Sequence, residues 1–175
     1  AYTVKGGRSE YGNAEDNKVI ISGGTVNLAV AGGYSAEGDA TGNEVAVTGG
    51  KISLYNGYIS GGQSLGRNVK GNKVTITDVT NVDTVYGGNS DYGNAEVNTV
   101  IIDGGTINKV FAGFGDAVVQ GNEVIISNST GKGSVGDVIG GSVSWNAEED
   151  YSLVKDNVVT WKEGESQGNV YGSVI

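Results

Sequence analysis

Twenty Asp and Glu side chains against eleven Lys and Arg are the groups in this sequence with the clearest capacity for chemistry. Two carboxylates held ~5–10 Å apart can cleave a glycosidic bond, one donating a proton and the other acting as base or nucleophile. Asp78 and Asp103, at the ends of neighbouring predicted strands, are the candidate pair. Asp39 and Asp116 share a recurring position with Asn13, Asn68 and Asn94, so they read as turn residues. The acidic run Glu148-Glu149-Asp150, next to Tyr151, could offer oxygens to a hard cation. Gly113-Phe114-Gly115-Asp116 matches a glycine-aspartate calcium repeat only once and out of register. Solvated turn carboxylates and an acidic solubilising loop explain both groups more simply. No residue is therefore assigned as catalytic or metal-binding, and no cofactor is expected.

Composition narrows the chemistry further. The 175 residues contain neither His nor Cys. That removes the commonest general base, thiol nucleophiles, thiolate metal sites and disulfides. A net charge of −9 repels phosphate backbones, so nucleic acid is not an expected partner. No apolar run approaches the ~18 residues of a membrane span, and this segment is not expected to insert directly into a membrane. Glycine is abundant, at 32 residues, and proline is absent. The glycine pairs lack the helix and Lys of a phosphate-binding loop, and they recur.

That recurrence sets the architecture that must position every candidate. Gly12–Asn27 (GNAEDNKVIISGGTVN) and Gly93–Asn108 (GNAEVNTVIIDGGTIN) are nearly the same text. An Asn followed by alternating apolar residues returns at Asn17, Asn43, Asn72, Asn98, Asn122 and Asn157. A β-branched residue, one spacer and a glycine pair return at Val4, Val30, Ile59, Val85 and Val138, and in altered form at Val110 and Val170. Strands this short cannot bury themselves alone; stacking copies in register lets each pair with its neighbours. The expected fold is an all-β parallel β-solenoid of six to seven coils, roughly 26 residues each, with a right-handed coil. Residues 1–175 form one such domain, expected to be a segment of a longer repeat array.

Period two predicts inward columns at Val19/Ile21 and their equivalents down to Val159/Trp161, with another from Val4 to Val170. The six Asn are expected to form a hydrogen-bonded turn ladder. The glycine pairs are expected to supply corners with positive φ. An insertion near 148–154 is expected to loop out on one face. The spacer before the glycine pair should face outward, and it grows more apolar through Tyr86, Ile139 and Tyr171. With Glu148, Glu149, Asp150 and Tyr151, these are the candidate partner contacts.

The repeat as it stands in Val85–Ile107 resembles repeats in passenger regions of autotransporter adhesins, surface proteins of bacteria exported by type V secretion. The resemblance covers nearly the whole chain. It implies a secreted location on the outer-membrane surface, and the lack of Cys suits export of an unfolded chain. It implies a non-enzymatic stalk or display module for host glycan, host protein or self-association. Alternatives are a polysaccharide-degrading β-helix enzyme and a self-assembling fibre.

Overall fold

Alternation decides which way each strand faces. Val19 and Ile21 are buried while Ile20 between them is 65% exposed; Val45/Val47, Val74/Ile76, Val100/Ile102 and Val124/Ile126 repeat the buried pair. In the computed structural model, which describes residues 1–52, 57–127, 133–144, 152–163 and 167–174, these strands stack one above another. Every pairing is parallel, and each steps by one repeat: Val19↔Val45, Val45↔Val74, Val74↔Val100, Val100↔Val124 and Val124↔Val159. The chain is a parallel β-solenoid with no helix among the described residues. The Asn column has six levels, so about five turns separate its first from its last, slightly fewer than the repeat count predicts.

Each coil has a bent strand carrying the glycine pair, as in Thr3–Ser9, Ala29–Ser35 and Tyr58–Ser64. A short strand follows, as in Ala40–Thr41 and Ala95–Glu96, and then the Asn-led strand, as in Glu44–Val47. A final short stretch, such as Thr25–Val26, closes the coil. In the third and fourth coils this last stretch runs unbroken into the bent strand of the next coil, giving the long Lys73–Ser90 and Thr99–Gly115. The main core joins the Asn-led columns to Val30, Ile59, Val85, Val110 and Val138. Val4, Val159 and Trp161 are only partly buried, and Val170 is exposed, because the outermost levels have a neighbouring coil on one side only. The short strands build a second, smaller core from Ala40, Val69, Ala95 and Val119, backed by Val143 and Val154.

The expected positive-φ corners are found in one set of glycine pairs, at Gly24, Gly50, Gly104 and Gly105, and not in the pairs of the bent strands. None of the residues in Gly6-Gly7, Gly32-Gly33, Gly61-Gly62 or Gly87-Gly88 has positive φ. Their role is close approach. A Cβ on Gly32 would strike the carbonyl oxygen of Gly61 in the next coil, and one on Gly33 would overlap the Asn43 amide. The first glycine is also skipped by the pairing, which passes from Lys5↔Ala31 to Gly7↔Gly33. Side-chain parity therefore flips across the pair, a feature that strict alternation does not foresee.

A further set of positive-φ positions is the residue just before each ladder Asn. Asp16, Gly42, Gly71, Val97, Gly121 and Asp156 all lie between φ 53° and 65°. Five of these are Gly or Asp, which tolerate the left-handed region; Val97 is β-branched and does not. It is 55% exposed, so little burial offsets the strain. Replacing Val97→Gly is expected to raise unfolding stability by about 1 kcal/mol, the relief of left-handed strain less the extra entropy of an unfolded glycine. The urea midpoint measures this; a fall would mean that the Val97 side chain contributes packing greater than its strain.

Candidate functional site

Inside the coil, the polar residues are fully occupied with holding the stack together. Asn43 donates both its backbone N–H and its Nδ2 to Asn72 Oδ1, each at 3.0 Å. Its second Nδ2 hydrogen goes to the Ala14 carbonyl at 2.8 Å. Asn72 treats Asn98 and the Ala40 carbonyl the same way, and Asn98 treats Asn122 and the Val69 carbonyl the same way. Asn17 heads the column and Asn157 ends it. Ser35, Ser64 and Ser90 are likewise buried. Each donates to a turn carbonyl of the preceding coil and accepts the N–H three residues on, at Gly38, Arg67 and Gly93. These groups are spent on architecture and leave no unsatisfied function to explain.

The carboxylates divide in the same manner. Asp39 stands in an exposed edge ladder: it donates its N–H to Asn13 Oδ1 and accepts the Asn68 N–H at its own Oδ1. Asp116 does not join this ladder. The fourth Asn step is 24 residues rather than 26, so the Val118 N–H donates to Asn94 Oδ1 and the Asp116 N–H turns to the Gly93 carbonyl. Asp103 lies opposite Thr77 rather than Asp78, which occupies a left-handed position at φ 54°. Among the described residues, no three His, Cys, Asp or Glu gather closely enough to hold a metal ion. Glu148, Glu149, Asp150 and Tyr151 lie outside the described residues.

The outward face of the bent strand differs from the uniformly exposed stripe expected from the sequence. Ala31 and Ser60 are fully buried, Phe111 is buried, and Tyr86 and Ile139 are half-buried; Tyr171 alone is 44% exposed. The parity flip at the glycine pair explains this. It brings Tyr34, Gln63 and Phe114 onto the side already occupied by the spacers, where they pack against them. Tyr86 stacks on Phe111 with ring centres 5.3 Å apart, and it meets Phe114 at 6.0 Å and Tyr58 at 6.3 Å edge-on. Tyr58 Oη donates to Gln63 Oε1 at 2.7 Å, and Lys5 Nζ sits 3.5 Å over the Tyr34 ring. Tyr34, Tyr58 and Phe114 are members that repeat reading overlooks; Tyr34 and Phe114 lie three residues after the spacer, a signal visible only once the skipped glycine is known, and Tyr58 lies two residues before it. Among the described residues, the most exposed aromatics are Tyr2, Tyr11 and Tyr92, the last two on equivalent turns.

Burial pushes the Tyr86 phenol up to about 12, with the charges of Asp83, Tyr58 and Asp91 adding to it. A phenol whose folded value lies above its unfolded value near 10 stabilises the fold fully below pH ~10 and loses that contribution as pH rises towards 12. Stability is therefore expected to fall across that alkaline window, and Tyr86→Phe should flatten the fall. Urea midpoints at successive pH values, with tyrosinate absorbance as a second readout, test it. An unchanged slope in the variant would assign the loss to other groups.

No family model matches the chain, and no curated protein or solved structure matches it.

Proposed function

We propose that this chain is a non-enzymatic stalk and display segment of a secreted bacterial surface adhesin, mediating attachment to host glycan or protein or association between like cells. The observation that carries the reading is the division of labour between the two sides of the wall. The buried polar residues are committed to ladders along the axis, while side chains such as Tyr11, Ile20, Tyr92 and Tyr171 project into solvent. A rod of this kind extends a contact surface, and weak contacts repeated along it combine by avidity. The likeness of the Val85–Ile107 repeat to autotransporter passengers supports a location on the outer face of the outer membrane. Tyr11, Tyr92 and Tyr171 are the exposed aromatics suited to such contacts, because aromatic side chains are enriched at recognition surfaces.

Beads carrying the purified chain at graded density provide the test. The expected result is attachment to host cells, or bead clumping, that rises more steeply than linearly with density. Beads that neither attach nor clump at any density would remove the proposal.

A further inference from the structure

On the wall formed by the last stretch of each coil, a cleft of about 440 Å³ crosses from the third coil towards the last. Val82, Ile107 and Val135 point into the core beneath it, so the residues on either side of each point out. The outward lining is Asn81, Asp83, Thr106, Asn108, Ser134 and Gln167. At Gly136 the lining has no side chain; a Cβ at that position would collide with the Asn108 carbonyl.

The chemistry of this lining is specific. It contains no Lys or Arg and no aromatic residue. Asn108 Nδ2 donates to Asp83 Oδ1 at 3.1 Å, which holds an amide and a carboxylate side by side in a fixed pair. Thr106 and Ser134 lie directly opposite one another across adjacent strands. Among the described residues, the side chains of Asn81, Thr106, Ser134 and Gln167 make no hydrogen bond within the protein. The cleft therefore offers hydroxyls, amides and one carboxylate, each able to bond a hydroxyl group, arranged over successive ~4.8 Å levels. A phosphorylated, sulfated or uronic-acid ligand would meet Asp83 and a net charge of −9 with no cation to offset them.

We propose that this cleft binds an uncharged oligosaccharide lying along the rod axis, with the Asp83–Asn108 pair bonding sugar hydroxyls. This deepens the display reading above and rests on it for its biological sense.

The test titrates the isotope-labelled chain with maltotetraose, cellotetraose, mannotetraose and N-acetylchitotetraose. Tetragalacturonate and a heparin tetrasaccharide serve as acidic probes. At least one neutral probe is expected to shift the backbone amide signals of residues 81–83, 106–108 and 134–136, while the acidic probes shift none of them. Asp83→Ala should weaken that binding about tenfold or more, as loss of a charged hydrogen-bond partner does. Thr106→Trp, an exposed site, should fill the cleft and abolish binding with the thermal midpoint unchanged. The proposal is overturned if no neutral probe shifts these amides at millimolar concentration, if acidic probes bind equally well, or if Thr106→Trp binds normally. Bead attachment separates the two readings. Attachment by beads carrying the unaltered chain with no neutral probe bound would retain the display function and reject the cleft; sugar binding without attachment would do the reverse.

Discussion

Asn98→Ala is expected to be among the most destabilising single changes in the chain, at about 3–5 kcal/mol. Asn98 Oδ1 accepts the backbone N–H and the Nδ2 of Asn72, each at 3.0 Å, and Asn98 Nδ2 donates to Asn122 Oδ1 and the Val69 carbonyl. Asn98 is fully buried and Asn72 almost so, so truncation strands two donors of Asn72 where water does not reach. Each stranded donor costs about 1–3 kcal/mol. Asn94→Ala is the matched comparison. Asn94 Oδ1 accepts one N–H, from Val118, on a more accessible edge that water can reach. Its loss should cost under about 1 kcal/mol. Urea midpoints with equal slopes measure both. Similar small effects for the two would mean that water replaces the lost partner inside the stack, and the ladder would then contribute little.

Gly88→Ala should cost about 3 kcal/mol by overpacking. A Cβ there would stand 2.6 Å from both Cγ and Oδ1 of Asn98. That amide cannot swing aside, because bonds above, below and to the Val69 carbonyl fix it. The decisive measurement is the double variant. Once Asn98 is truncated, the new methyl group occupies the space the amide has left. Gly88→Ala with Asn98→Ala is thus expected to be no less stable than Asn98→Ala alone, a coupling of about 3 kcal/mol in a double-mutant cycle. Additive losses would show that the clash is with the neighbouring backbone instead.

Both expectations follow from one packing unit, a glycine of the bent strand facing the ladder Asn of its own coil. Gly7–Asn17, Gly33–Asn43, Gly62–Asn72, Gly88–Asn98, Gly113–Asn122 and Gly141–Asn157 all repeat it. Chain separation does not define the unit: Gly113 and Asn122 are closer in sequence than the earlier pairs, and Gly141 and Asn157 are farther apart. Its invariance in space reflects size, since only an absent side chain leaves room for an amide that bonds in both directions.

Much of this was legible from residue order. Period-two alternation at Val45/Val47 and its equivalents requires one face in and one face out. The recurrence of Asn43, Asn72 and Asn98 at nearly constant steps requires stacking, because identical short strands gain burial only against their own copies. Those two facts determine the class of fold, the main core and the ladder. Three features were decided by the tertiary structure alone. The glycine pairs of the bent strands serve close approach because the carbonyl of Gly61 and the Asn43 amide lie where Cβ atoms would be, and a sequence does not record what will face a residue. Left-handed strain settled on Val97 because the corner comes one residue before Asn98, a position the repeat otherwise fills with Gly or Asp. The skipped glycine reverses parity along each bent strand. That reversal turns Tyr34 and Phe114 towards Tyr86 and Phe111 and buries a stripe that simple alternation would leave open, because side-chain direction depends on every backbone step before it.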